Sequence, residues 1–148
     1  MPKQAILPFF LPMQGCEARC VYCDQQAISG AAKPPALAEI VAALDKLEPG
    51  GGMELAYYGG SFTCLPREEQ ARYLALAAPA LADGRLGGLR ISTRPDAMDT
   101  EIAAWLKAQG VTCVELGVQS FFDPVLTAAG RGYTAAQARA GAAAVREA

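Results

Sequence analysis

The chain has 148 residues, enough for one domain with a sizeable core, and 52% of them are hydrophobic, which excludes a disordered chain. Its net charge is −2 and its 13 lysine and arginine residues form no basic run, so charge gives no support to a nucleic-acid or membrane partner. The early apolar stretch "AILPFFLPM" is too short and too interrupted by proline for a signal peptide or a membrane span. A cytoplasmic protein is therefore expected.

Apolar runs as long as a typical β-strand alternate with longer segments that have helical periodicity. Strands are predicted at residues 5–11, 53–58, 89–93 and 111–120. Helices are predicted at residues 35–48, 66–82, 101–109, 124–129 and 134–147. Asp99 or Thr100 is expected to cap the third of these helices, and Gly110 to close it. Four strand–helix repeats predict an α/β fold with a parallel sheet and right-handed crossovers.

The third and fourth strands are apolar on one face only. In the fourth strand valine and leucine alternate with a polar or small set, namely Cys113, Glu115, Gly117 and Gln119. The third strand similarly alternates leucine and isoleucine with Arg90, Ser92 and Arg94. A doubly wound sheet would be apolar on both faces, so this pattern favours a curved sheet with helices outside and a polar ligand cavity inside. The expected architecture is part of an α/β barrel.

Three cysteines lie within eight residues of the stretch "MQGCEARCVYCDQQ", at Cys16, Cys20 and Cys23. A structural zinc site would need a fourth ligand, which without any histidine would be Cys64, Cys113 or a carboxylate. A redox disulfide between Cys20 and Cys23 would leave Cys16 unused. A [4Fe–4S] cluster held by three thiolates leaves one iron open to a further molecule. The spacing alone leaves all three interpretations open.

The order of the motifs resembles a known superfamily. CxxxCxxC with an aromatic residue before the last cysteine, followed by Gly-Gly after the second strand, resembles the radical S-adenosylmethionine superfamily. Within it, "YYGGSFTCLP", "ISTRPD", "VELGVQS" and "RGYT" are similar to the catalytic-subunit family of Elongator and its bacterial relatives. Oxygen-independent coproporphyrinogen oxidase-like proteins are the sister alternative. The resemblance covers residues 8–134.

The resemblance implies an enzyme with two cofactors, a [4Fe–4S] cluster and S-adenosylmethionine. Reductive cleavage of the sulfonium would give methionine and a 5′-deoxyadenosyl radical, which abstracts hydrogen from an unknown substrate. A one-electron donor of the flavodoxin or ferredoxin type is implied as partner. Modification of a transfer-RNA base is the family analogy, which the charge does not support, and no membrane partner is expected. The alternative function is a non-catalytic module in which the cysteines bind structural zinc or a cluster.

The resemblance also assigns site residues. The implied metal ligands are Cys16, Cys20 and Cys23. The implied cofactor contacts are Tyr22, Gly59, Gly60, Ser61, Ser92, Gln119 and Arg131. Among these, Tyr22 would pack beside the adenine of S-adenosylmethionine. The two glycines would let the backbone approach the methionine part of the cofactor. Arg131 would bind a carboxylate through two parallel hydrogen bonds. Glu115 is the candidate catalytic residue, expected to face the same cavity and to orient Arg94 or the substrate.

The chain departs from the family pattern in two respects. Family members carry histidines around the first cysteine and in an Arg-Gly-His-Thr motif, whereas residues 12–18 here contain none and Tyr133 stands in the second motif. The family core has about six strand–helix units, of which four are counted here. Residues 1–148 are therefore expected to be the N-terminal portion of a radical S-adenosylmethionine core, an incomplete barrel. Cys64 and Cys113 are expected to be small buried residues or to have no part in the site.

Overall fold

A computed structural model describes residues 5–12, 14–16, 20–24, 27, 30 and 33–148. Part of the quoted cysteine stretch, namely Met13, residues 17–19, Gln25 and Gln26, lies outside these described residues. Within them, four strands form one parallel sheet in the order of the chain. The strands are β1 (Ile6–Phe10), β2 (Met53–Tyr58), β3 (Leu86–Thr93) and β4 (Val111–Leu116). No helix in this described part is long and apolar enough to span a membrane.

Helices connect the strands, as the alternation predicts. They are α1 (Leu37–Leu44), α2 (Arg67–Ala75), α3 (Ala78–Ala82), α4 (Thr100–Ala108), α5 (Asp123–Ala128) and α6 (Ala135–Glu147). Two 3₁₀ turns, Phe62–Cys64 and Pro95–Ala97, follow β2 and β3 directly. The α/β class and the parallel sheet are thus confirmed.

Several predicted bounds differ from the structure; for example, β3 begins three residues earlier than expected, and α1 ends four residues earlier. Two further differences have a clear physical cause. The helix expected at residues 66–82 is divided into α2 and α3, because Pro79 lacks the N–H that a continuous helix would need and is instead accommodated in the first turn of α3. The strand expected to reach residue 120 ends at Leu116, and beyond it Gln119 adopts a positive φ of 68°, which no extended strand allows.

Local capping explains where the later helices begin and end. The Asp99 carboxylate accepts the Ile102 N–H at 2.7 Å and begins α4, and Gly110, with a φ of 90°, ends it. Thr134 begins α6 through a capping box with Gln137, in which each side chain bonds the other residue's backbone N–H. Both starts lie where the sequence predicts them.

The two faces of the sheet have different chemistry. The face that packs against the helices carries the most buried core side chains, including Leu55, Tyr57, Leu89 and Ile91. On the opposite face lie Glu54 of β2 and Arg90 of β3, whose side chains bond each other diagonally, and Ser92 of β3 beside Glu115 of β4. This one-sided pattern confirms the sheet predicted from the alternation in the third and fourth strands. A second, smaller cluster of Leu126, Tyr133 and Ala138 packs α5 and α6 together.

Candidate functional site

A cavity of about 240 Å³ lies where the carboxyl ends of β2, β3 and β4 meet the cysteine loop. It is lined by Cys16, Cys20, Tyr22, Cys23, Gly59, Gly60, Ser61, Ser92, Thr93, Arg94, Gly117, Gln119 and Arg131. Every residue predicted from the sequence to bind iron or cofactor therefore lies on one cavity. The carboxyl end of a parallel sheet is where α/β proteins place their ligands, because the connecting loops converge there.

Backbone contacts hold the cysteine loop against the sheet. The Ser61 N–H donates to the Gln14 carbonyl at 2.9 Å, and the Cys16 sulfur lies 3.4 Å from the Ser61 hydroxyl. On the other side the Val21 N–H donates to the Ala129 carbonyl at 3.1 Å, which ties the loop to the end of α5. The loop is thus anchored both at β2 and beside Arg131.

Glycines make this close approach sterically feasible. A Cβ atom on Gly60 would overlap the Gln14 carbonyl oxygen and would lie 2.9 Å from that of Leu11. A Cβ atom on Gly15 would likewise overlap the Ser61 carbonyl oxygen. Gly59 has a φ of 90°, which favours glycine whatever the surrounding space. The Gly-Gly turn after β2 is therefore required for packing of the cysteine loop, besides lining the cavity.

The donor set suits a cluster better than a single ion. All five cysteines are thiols rather than disulfides, and Cys64 and Cys113 do not line the cavity. Among the described residues, no three His, Cys, Asp or Glu side chains converge closely enough to hold one metal ion. Zinc would need four ligands about 2.3 Å from one point, whereas in a cubane cluster each thiolate binds a different iron. Three thiols on one cavity are the number that such a cluster would take from the protein.

The side chain of Arg131 is held entirely by protein groups. Its Nη1 donates to the Cys20 sulfur at 3.1 Å and to the Tyr22 hydroxyl at 3.0 Å. Its Nε donates to the Tyr133 hydroxyl at 3.0 Å, and its Nη2 donates to the Gly117 carbonyl. Burial opposes the charge of Arg131, but the hydrogen bonds with Tyr133 and Cys20 outweigh it and raise the pKa of the guanidinium. In this geometry neither edge of the fork is open to a bidentate carboxylate.

Glu115 does not line the cavity and does not contact Arg94. Its carboxylate accepts from Arg90 at 2.8 Å and from the Tyr58 hydroxyl at 3.3 Å. Arg94 instead pairs with Asp96 through two bonds of 2.8 Å, which raise the pKa of its guanidinium. The expectation that Glu115 orients Arg94 is therefore wrong, while its role toward a substrate stays a prediction.

An ion network next to the cavity was not predicted from the sequence. Glu54 is only 3% exposed, and its carboxylate accepts from Arg90 at 2.6 and 2.9 Å and from the Thr112 hydroxyl at 3.3 Å. Hydrogen bonds with Glu54 and Glu115 raise the pKa of Arg90. A glutamate inside the otherwise apolar run "MELAYY" was the available signal. Beside the network, burial raises the pKa of the Cys113 thiol.

Tyr133 is a second residue that sequence reasoning did not assign to the site. It is only 6% exposed, and its hydroxyl lies 2.8 Å from the carbonyl oxygens of both Gly117 and Val118. Its ring lies beneath the guanidinium groups of Arg94 and Arg131, at 5.5 and 5.1 Å from the ring centroid. Its place in the "RGYT" motif was the only signal in the sequence.

Comparison with known families identifies the superfamily of the chain. The family model described as the Radical SAM superfamily matches residues 10–148, a range that includes all three clustered cysteines and every other residue lining the cavity. The comparison with curated proteins found no match.

Proposed function

Because the chain belongs to the radical S-adenosylmethionine superfamily, whose members are generally enzymes, we propose that the cavity beneath its cysteine loop is the cofactor site. Membership implies a [4Fe–4S] cluster and S-adenosylmethionine as cofactors. Bound together, they supply reductive cleavage of the sulfonium and a carbon radical that abstracts hydrogen from the substrate. One observation carries the proposal, namely that the three cysteines and the seven predicted cofactor contacts share one cavity.

The three thiols would hold the cluster, with Cys16 beside Ser61 and Cys20 beside Arg131. The backbone of Gly59 and Gly60 lines the cavity at the end of β2 without side-chain bulk, and the Ser61 hydroxyl lies beside it. This combination suits a ligand with amino and carboxylate groups that must lie close to an iron.

The remaining wall would bind the rest of S-adenosylmethionine. Ser92 at the end of β3 and Gln119 after β4 supply hydrogen-bonding side chains to the cavity. The Tyr22 ring is half exposed at the rim and its hydroxyl is held by Arg131, so that one face is available to an adenine. Because the fork of Arg131 is engaged by protein, we assign the cofactor carboxylate to other donors of the cavity.

We place the substrate on the polar face of the sheet, beyond Ser92. Glu115 lies opposite Ser92 in the register of β3 and β4, and 45% of its side chain is exposed. Arg90 and Tyr58 orient its carboxylate through hydrogen bonds to one oxygen. Glu115 would therefore contact substrate rather than cofactor, and the Glu115→Gln variant is expected to bind as much iron as the parent chain.

The finer family assignment is also a proposal. Four motifs resemble the Elongator catalytic-subunit family, for which modification of a transfer-RNA base is the analogous reaction, and the oxygen-independent coproporphyrinogen oxidase-like proteins are the alternative. The net charge of −2 without a basic run gives no support to an RNA surface on these residues. Superfamily members need a one-electron donor, and we propose a flavodoxin or a ferredoxin for this chain.

Anaerobic reconstitution with iron and sulfide tests the cofactor site. The parent chain is expected to turn brown and to bind about four irons, because three thiolates suffice for a [4Fe–4S] cluster. Cys20→Ser is expected to lose most of this iron, since it removes one ligand. Cys113→Ser is the matched control, because that thiol lies outside the cavity, and it should keep its iron.

Catalysis is tested by adding S-adenosylmethionine and dithionite to the same three proteins and measuring 5′-deoxyadenosine. We expect the product with the parent and Cys113→Ser and none with Cys20→Ser. A colourless parent chain that binds one zinc would contradict the proposal and support the structural metal module.

A further inference from the structure

Tyr133 sits at the centre of a hydrogen-bond network behind the cysteine loop. Its hydroxyl has one proton to share between the carbonyl oxygens of Gly117 and Val118, and it accepts the Nε–H of Arg131 at 3.0 Å. Its ring is buried in a small cluster with Leu126 and Ala138, so the hydroxyl position is determined by packing. The network therefore presents Arg131 in one orientation.

That orientation directs a positive charge at a cysteine sulfur. The Nη1 of Arg131 lies 3.1 Å from the Cys20 sulfur, and the two residues are 111 positions apart in the chain. Among the described residues Arg131 forms no ion pair with a carboxylate, whereas Arg90 and Arg94 both do. The charge of Arg131 is thus left uncompensated beside Cys20.

We propose that Arg131, positioned by the Tyr133 hydroxyl, raises the reduction potential of the cluster by donating a hydrogen bond to the Cys20 sulfur. The proposal rests on the proposed function, because it requires Cys20 to be a cluster ligand. It gives Arg131 a role in electron uptake in place of the carboxylate contact expected from the sequence. Tyr133 is then a positioning residue that acts through Arg131.

The direction of the effect follows from charge. Reduction adds one electron, supplied by a low-potential donor, and neither makes nor breaks a bond. It increases the negative charge on the cluster and its thiolate ligands, so a cationic donor at a ligand sulfur stabilises the reduced form more than the oxidised form. The donor is partly buried, where such an interaction is screened less than at the surface. A higher potential makes the cluster easier for the donor protein to reduce.

Redox titration of the reconstituted chain, followed by the electron paramagnetic resonance signal of the reduced cluster and carried out without S-adenosylmethionine, tests the proposal. Arg131→Gln is expected to shift the reduction equilibrium at least tenfold toward the oxidised form. For a one-electron couple, a tenfold shift lowers the reduction potential by about 59 mV. Tyr133→Phe keeps the ring but removes the Nε acceptor, and we expect a shift in the same direction that is smaller. Arg139→Gln is the control, because Arg139 stacks on Phe121 at 4.5 Å and does not line the cavity.

The outcomes separate this inference from the proposed function. A parent chain that assembles no cluster would refute the proposed function. A parent and variants that assemble clusters of equal potential would overturn the role of Arg131 alone. Loss of the cluster from both Arg131→Gln and Tyr133→Phe, with the circular dichroism of the folded chain retained, would assign Arg131 to cluster assembly and would also overturn the inference.

Discussion

At the scale of single residues, the Glu54 carboxylate depends on one cationic partner, Arg90, besides the Thr112 hydroxyl. Its side chain is buried on the polar face of β2, and Arg90 from β3 donates two hydrogen bonds to it. A buried carboxylate is costly unless it is paired, and the cost of removing its partner exceeds what the pair itself contributes. Arg90 also bonds Glu115, so the network connects the buried charge to the proposed substrate side of the cavity.

The substitution Arg90→Met tests this dependence. It leaves Glu54 buried without a counter-charge, although the carboxylate keeps the hydrogen bond from the Thr112 hydroxyl, and we expect the free energy of unfolding to fall by about 3–5 kcal/mol in urea titrations. Arg85→Met is the control, since Arg85 pairs with the exposed carboxylates of Asp45 and Asp83 and donates to the Leu44 carbonyl at 2.8 Å, and its loss is expected to be about 1–2 kcal/mol. Equal losses in the two variants would show that Glu54 does not depend on Arg90.

The sequence allows some of these residues to be predicted and not others. Cys16, Cys20 and Cys23 stand close together in the chain, so spacing alone marks them as a candidate site, and the order of the other motifs then favours their joint use as cluster ligands. The pairing of Glu54 with Arg90 could not, because it depends on the register between two strands whose residues are 36 positions apart. The alternation in β3 predicts the face on which Arg90 lies, but not its partner.

At the scale of elements, α6 is positioned by its small residues. Ala138, Gly141 and Ala144 form its buried stripe, and they pack on the turn Pro95–Ala97 after β3. A Cβ atom on Gly141 would overlap the Pro95 carbonyl oxygen, so only glycine allows this approach. The same turn carries Asp96, which pairs with Arg94 at the cavity wall.

The substitution Gly141→Ala has two effects on the free energy of unfolding, and they act in opposite directions. Alanine raises helix propensity by about 1 kcal/mol over glycine, whereas overpacking against backbone costs about 1–3 kcal/mol. Because the atom that is overlapped belongs to the backbone, we expect net destabilisation, measured as a lower urea midpoint. Ala136→Gly, at an exposed position of α6, measures the propensity effect without a clash. A Gly141→Ala variant more stable than the parent would refute the packing argument.

At the scale of the whole molecule, the sheet has two central and two outer strands. β2 and β3 are hydrogen-bonded on both sides, whereas in the described part of the chain β1 pairs only with β2 and β4 only with β3. An outer strand leaves backbone groups available for further pairing. The cavity, however, draws its wall from the ends of β2, β3 and β4 together.

Hydrogen exchange followed by mass spectrometry tests whether the central strands are protected more strongly than the outer ones. The amides of β2 and β3 are expected to exchange slowest, because they lie in the core of the sheet, and those of β4 to exchange faster. Peptides from α3, which is short, serve as a reference for local opening. Protection of β4 equal to that of β3 would contradict the expectation and would indicate that another strand pairs with it.

The sequence by itself determined the features that depend on neighbouring residues. The cysteine spacing, the Gly-Gly turn and the one-sided alternation of the later strands are local patterns. The alternation predicted a sheet with one polar face, which the structure confirms, whereas the roles assigned to the cysteines and glycines stay predictions. The tertiary structure alone decided that Arg131 is held by Tyr133 and points at the Cys20 sulfur. That contact joins residues more than a hundred positions apart, and it depends on how the loops after parallel strands converge at one edge of the sheet, which no local pattern specifies.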